Sequence, residues 1–231
     1  MKSLMIIQLI LASYIYGSIP FGLAVIKILT GKDIRKEGSG NFGTTNVFRV
    51  AMKELGAVVG IVVGIVVFFL DVSKGALPIY VLQVIIGQHD PWYPAIGVIS
   101  GVIAIVGHSY SVFLKFKGGK GMATGTGLVL MLWPQALILF PMWVWSVKRI
   151  GYVSNASLHV GMALPFLVWL RYPEPIYVLL AFVVALIVIK RHETNIERIH
   201  AGEELKVDLS LRKIRHVFTG VINGKKGRAY S

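Results

Sequence analysis

The sequence predicts an all-α, polytopic membrane protein with seven transmembrane helices, an external N-terminus and a cytoplasmic C-terminus. Three observations carry that prediction. Hydrophobic residues make up 55% of the chain and charged residues only 15%, with a mean hydropathy of +0.70, whereas soluble domains usually carry ~25% charged residues. The apolar residues are gathered into long uninterrupted runs, and ~20 such residues suffice for a helix to cross a bilayer. The cations are sorted as well: of 24 Lys and Arg, 21 fall in the segments that alternate runs place on one side, which the positive-inside rule makes the cytoplasm.

The first run, Leu4–Ile28, is long and lacks a small-residue cleavage site, so it reads as a retained span and not as a leader. Five further runs follow: Leu55–Ile86, Tyr93–Leu114, Met122–Val147, Tyr152–Leu170 and Pro175–Ile189. Six crossings would put Lys148, Arg149 and the basic C-terminal segment outside, against the charge rule. Trp133-Pro134 resolves the conflict. Proline lacks an amide proton and belongs in the first turn of a new helix, so Met122–Val147 splits there into two short antiparallel crossings. Halves this short must pack inside the bundle or sit in a thinned bilayer. Lys2 and Arg171 then lie outside, and Lys74 lies within a span.

Gly56, Gly60 and Gly64 recur every four residues, a spacing that suits close helix packing. No tandem repeat divides the chain. Residues 1–204 read as one membrane domain, and residues 205–231 as a basic cytoplasmic tail suited to anionic headgroups.

The absence of cysteine excludes disulfides, thiolate metal sites and a cysteine nucleophile. The histidines have no metal-ligand spacing, so no metal and no cofactor is expected. A net charge of +13 suits nucleic acid, anionic lipid or an anionic substrate. Its placement along a bilayer face favours the last two over nucleic acid.

Three polar segments on the basic side hold the candidate chemistry. In the first, Asp33–Asn46 followed by Arg49, Gly38, Gly40 and Gly43 can turn successive amides toward one point. Ser39, Asn41, Thr44, Thr45 and Asn46 add neutral donors, and Arg49 can grip phosphate with two parallel hydrogen bonds. The second, Lys115–Thr124, sets Gly118, Gly119 and Gly121 before a helix start, with Lys117 and Lys120 as point charges. It lacks the spacing of a nucleotide-binding P-loop. The third, Lys190–Glu204, leaves the last span; on a continuing helix His192 and Asn195 would share a face. Each segment alone also reads more plainly, as a glycine-rich turn, as membrane anchoring or as a charge cluster at a helix exit. At membrane depth Asp71 and Lys74 stand three apart and can pair, as a structural pair or as a functional one. Ser154 and Ser157 open the sixth span, as polar contacts or as helix caps, and His108 is placed to support the second loop.

Taken in order, Gly17–Gly22, Asp33–Val47, Leu70–Gly75, Gly107-His108 with Val112–Thr124, and Arg191–Arg198 resemble the bacterial acyl-phosphate:glycerol-3-phosphate acyltransferase (PlsY) family, over roughly residues 1–204. The resemblance implies a seven-span inner-membrane enzyme of phospholipid synthesis. Its reaction would move an acyl group from acyl phosphate to sn-glycerol 3-phosphate, giving 1-acyl-glycerol 3-phosphate (lysophosphatidate) and phosphate, without coenzyme A or acyl carrier protein. Its partners would be those two substrates, membrane lipid and an acyl-phosphate-producing enzyme. By motif position it implies catalytic roles for Ser39, Lys120, His192 and Asn195. It implies substrate binding by Gly40, Asn41, Thr45, Asn46, Arg49, Gly118, Gly119, Gly121 and Ser154, with the amides of Gly118 to Gly121 around a phosphate. Two positions depart from the family pattern. Thr44 stands where alanine is common, which predicts slight crowding, and Ser111 where proline is frequent, which predicts a less stiff approach to the second loop.

Each phosphate monoester brings ~−1.5 to −2 charges near neutral pH, so a two-phosphate pocket needs several cations and oriented amides. An acyl phosphate is already activated, leaving orientation and charge stabilisation as the work of the protein. A substrate phosphate can then accept the hydroxyl proton, with His192 as the alternative base. Two other classes remain open. A transporter of organic phosphates would also use polar nests and broken helices. An acyl-CoA-type enzyme with an H-x-x-x-x-D motif fits less well, because His192 is followed five positions on by Glu197 and not by Asp.

Overall fold

The structure, a computed structural model, describes residues 1–172 and 174–207. Nearly all of the basic tail therefore lies outside the described residues. Ten α-helices and no strand occur among the described residues: α1 (Lys2–Ser18), α2 (Phe21–Thr30), α3 (Thr44–Leu55), α4 (Ala57–Ile86), α5 (Tyr93–Ser109), α6 (Met122–Leu132), α7 (Leu139–Ile150), α8 (Val153–Arg171), α9 (Pro175–Arg191) and α10 (Glu193–His200). Every apolar run of the sequence is helical. Among the described residues four helical segments are long and apolar enough to cross a membrane: α1 with α2, α4, α5 with the turn after it, and α8; α9 makes a fifth if it is joined to α10 across a 52° bend.

The helix breaks follow local chemistry. Ile19 is extended ahead of Pro20, as the proline ring requires of the residue before it, and α2 starts one residue later. The predicted break at Trp133-Pro134 is present: α6 ends at Leu132, a 3-10 turn covers Pro134–Ile138, and α7 follows. One expectation fails. The helix does not continue through the third polar segment but breaks at His192 (φ −103°, ψ 6°). At the break the Val188 carbonyl takes both the His192 amide, at 3.0 Å, and the His192 ring Nδ1, at 2.8 Å.

The glycine repeat divides its roles. Gly60 and Gly64 abut Met52 and Phe48 of α3 so closely that neither position has room for a Cβ. Gly56 instead links the two helices with φ +86°. The amphipathic α3 is thereby clamped against α4, and with α2 it encloses a core of Ile26, Ile34, Val47, Val50, Val63 and Val67. A second, larger core joins α1, α4, α5, α6, α7, α8 and α9. The two cores fix the loops that leave the bundle at one end.

Candidate active site

The first loop is shaped by one side chain. Asn46, buried at the start of α3, donates through Nδ2 to the carbonyls of Glu37 (2.9 Å) and Asn41 (2.7 Å) and accepts the Ser39 amide at 2.9 Å. Its polar atoms are thus engaged in holding the loop. Asn41 Oδ1 accepts the Gly43 amide at 2.8 Å, closing the turn before α3. Ile34 and Phe42 anchor the loop in the α2–α3–α4 core. Ser39, Gly40 and Thr45 remain at least partly exposed, and Arg49 extends from the next turn of α3. Its guanidinium is 3.3 Å from the Leu205 carbonyl.

The second loop is pinned at its approach, at its centre and across its carbonyls. Ser111 Oγ donates to the Ser18 carbonyl at 2.5 Å, and Ser111 is fully buried. The looser approach expected from serine in place of proline is therefore corrected: a hydrogen bond to α1 replaces the stiffness of the ring. Lys115 (φ +52°) and Phe116 (φ +60°) are both left-handed, a strained conformation for residues other than glycine that often accompanies function. The Gly119 amide donates to the His108 carbonyl at 2.9 Å. Not all amides from Gly118 to Gly121 are free for phosphate, as the motif suggested; Gly119 holds the loop, leaving Gly118, Lys120, Gly121 and the start of α6. The opposite side of the loop is held by Arg191, which donates to the carbonyls of Gly119 (3.0 Å) and Gly118 (2.5 Å).

The third segment closes the site. Beyond α10, Gly202 (φ +74°) reverses the chain and brings Glu204 back over the helix. Its carboxylate accepts from Ser154 Oγ at 2.7 Å, Asn195 Nδ2 at 2.6 Å and Arg198 Nε at 2.9 Å. Asn195 Oδ1 is buried without a hydrogen-bond partner among the described residues. Glu204, Arg191 and Arg198 were not singled out from the sequence. The one local signal for Glu204 is an acidic pair directly after a glycine helix stop. Leu205–Val207 run on across the site, with the Val207 amide on the Gly151 carbonyl at 2.8 Å.

The charges are closely coupled. Burial pushes the Lys120 ammonium down to about 8, with Glu204 opposing and Arg198, Arg49 and Arg191 adding to the depression. Burial likewise lowers the Arg49 guanidinium against the pull of Glu204. The three hydrogen bonds and the charge of Arg198 hold Glu204 below its ordinary value even though burial pushes the other way. His192, past the last apolar residue of its run, is pushed down to about 4 by burial and by the Lys120 charge. Because a carbonyl can only accept, His192 Nδ1 carries the proton and Nε2 is left as an acceptor. The structure thus gathers Lys120, Arg49, Ser154, His192 and Asn195 around one carboxylate, with the Ser39–Thr45 loop entering on the same helix as Arg49.

Comparison with known proteins identifies the frame. The family profile described as glycerol-3-phosphate acyltransferase matches residues 7–202. This chain belongs to that family. Among relatives named glycerol-3-phosphate acyltransferase, the protein of Syntrophotalea carbinolica is 38% identical over 200 residues, covering 85% of this chain and 94% of the relative. That of Staphylococcus aureus strain Newman is 39% identical over 208 residues, covering 88% and 98%. Two crystal structures of PlsY (YgiH), an integral membrane glycerol 3-phosphate acyltransferase, superpose on this fold. Its glycerol 3-phosphate form has a TM-score of 0.76 at 32% identity, covering 87% of this chain and 95% of that one. Its lysophosphatidic acid form has 0.73 at 31%, covering 87% and 94%. In this glycerol-3-phosphate acyltransferase family member, all three polar segments begin inside the matched residues, and Glu204 follows two residues beyond them.

Proposed function

We propose that this chain transfers an acyl group from acyl phosphate to sn-glycerol 3-phosphate at the bundle end that carries the three loops, releasing 1-acyl-glycerol 3-phosphate and inorganic phosphate. The observation that carries this reading is the convergence of four cations, Arg49, Lys120, Arg191 and Arg198, on a site with one carboxylate, Glu204. That excess of positive charge suits two phosphate groups brought together. The glycerol hydroxyl oxygen attacks the acyl carbonyl carbon, the bond from that carbon to the phosphate oxygen breaks, and the electron pair leaves on phosphate. Lys120, Arg49 and the amides of Gly118, Lys120 and Gly121 stabilise the charge that develops on the carbonyl and the leaving group. Ser39 and Asn195 orient the glycerol moiety. His192, held near 4, is too weak a base to take a hydroxyl proton efficiently near neutral pH. Its Nε2 therefore orients the hydroxyl, and a substrate phosphate accepts the proton.

The same reading places the chain in the bacterial inner membrane with seven crossings, the loops facing the cytoplasm and an acyl-phosphate-producing enzyme upstream. Family membership supports acyl transfer over the transporter reading. The deciding experiment is a donor comparison with purified protein in detergent or lipid. Acyl phosphate with glycerol 3-phosphate is expected to yield lysophosphatidate and one inorganic phosphate per turnover, while acyl-CoA and acyl carrier protein thioesters yield none. Turnover with the thioesters alone would overturn the donor assignment, and absence of turnover with every donor would overturn the reaction.

A further inference from the structure

We propose that Asp71, Lys74 and His108 form a buried positioning unit that sets the spacing between the two phosphate loops. The pair predicted from sequence is present: Lys74 Nζ lies 2.7 Å from Asp71 Oδ1, and both side chains are at most 1% exposed. It does not stand alone, because Lys74 Nζ also lies 3.2 Å from His108 Nδ1. A lysine ammonium has only protons to give, so Nδ1 accepts and the ring orientation is fixed from α4. The imidazole then meets both loops. Its Nε2 edge sits against Gly119, where no Cβ would fit, and the His108 carbonyl takes the Gly119 amide. Its ring lies 5.8 Å, centroid to centroid, from Phe42 of the first loop. One histidine therefore touches the segment carrying Ser39–Thr45 and the segment carrying Lys120, and a charge pair in the second span fixes that histidine.

A purely structural pair is a weaker account. Ion pairs out of water are commonly no more stabilising than well-packed apolar replacements, and ionisable groups at membrane depth mark function more often than packing. What the pair does here that leucine and methionine would not is fix the direction of His108. This role presupposes that the loops act on phosphate substrates, as in the acyl transfer above.

The test uses the full-length protein with the paired substitution Asp71→Asn/Lys74→Met, which leaves no unpaired buried charge, and with His108→Leu and His108→Gln. Three quantities are read: thermal midpoint, amide hydrogen exchange of segments 38–46 and 115–124, and the KM for each phosphate substrate separately from kcat. The expected result is a retained midpoint, faster exchange in both loops, and a KM raised about tenfold or more for at least one substrate, in line with the ~10²-fold effect of small misplacements. His108→Gln is expected to recover much of what His108→Leu loses. Unchanged exchange and KM would overturn the proposal, as would activity falling only in proportion to the folded fraction. If the paired variant does not fold, the two His108 variants give the same decision with the ion pair intact. A wild-type protein inactive on acyl phosphate would sink the reaction, whereas the exchange measurement judges the positioning unit without turnover.

Discussion

Two groups of charges are withdrawn from water in this molecule, and they are built on opposite balances. Within the bundle one carboxylate meets one ammonium, Asp71 with Lys74, and the pair closes on itself and on His108. At the loop end four cations surround a single carboxylate, Glu204, and burial, with the neighbouring arginines adding to it, depresses Lys120 to about 8. Burying like charges together is unfavourable unless something anionic joins them. The balanced group therefore serves architecture, and the unbalanced one suits the anionic substrates of the proposed reaction. Glu204 serves the open site as an internal anchor: it accepts from Ser154, Asn195 and Arg198, yet leaves Arg49 and Lys120 without a carboxylate hydrogen bond among the described residues.

The largest expected effect comes from removing one of those two cations. Arg49→Ala or Lys120→Met should lower kcat/KM by about 10²-fold or more, since truncating a charge-assisted contact in a desolvated site amounts to ~2–5 kcal/mol. The thermal midpoint should change little, because excess cations repel. Steady-state kinetics at fixed ionic strength check this, and retained activity in either variant would break the contrast between the two groups.

A smaller effect is expected for Glu204→Gln. Glutamine keeps a carbonyl for Ser154 and Asn195 but loses the charge that pairs with Arg198, a loss of about tenfold in rate for a charged hydrogen bond. A gain in activity would mean instead that the carboxylate competes with a substrate phosphate. The sign with pH follows from its lowered value. The contribution of the Glu204 anchor is complete above the ordinary glutamate range and is lost as pH falls through the depressed one. Midpoints measured across acid pH should therefore decline less in Glu204→Gln than in the wild type.

The smallest effect is a pH limb. In the proposed reaction Lys120 binds phosphate as the cation, and its value in the free site is about 8, so kcat/KM should decline as pH rises through that value. Lys120→Arg should push the decline to higher pH because the guanidinium keeps its charge. His192, near 4, should add no inflection around neutrality. A rate that followed a group titrating near pH 6–7 and vanished in His192→Gln would restore the histidine as general base.

Much of the site could be read from residue types alone. Glycines beside lysine and arginine pointed to the phosphate reading proposed above, and the Asp71–Lys74 spacing predicted the pair that the structure contains. The reading faltered where a group has alternative partners. A glycine amide in a phosphate-loop pattern is free or engaged according to the fold around it, and Gly119 proves engaged by His108. A polar helix leaving the membrane runs straight or bends at a single residue, and this one bends at His192, where one carbonyl takes both the amide and the ring nitrogen. Asn46, which looks like a substrate donor, is a loop former because three carbonyls and an amide lie within its reach.

By itself the sequence determined the apolar character of the helices, the helical class, the break at Trp133-Pro134 and the polar residue types of the loops. These depend on composition and neighbours along the chain, through transfer from water and local backbone preference. Only the tertiary structure decided which groups share the site. Ser154 and Glu204 are 50 residues apart, and Arg191 and Gly119 are 72 apart. No local propensity encodes such pairs. They arise because α3, which carries Arg49, is clamped on α4 by Gly60 and Gly64, because the chain bends between α9 and α10 at His192, and because Gly202 returns it, so Arg49, Lys120, Ser154 and Asn195 come to one carboxylate, Glu204.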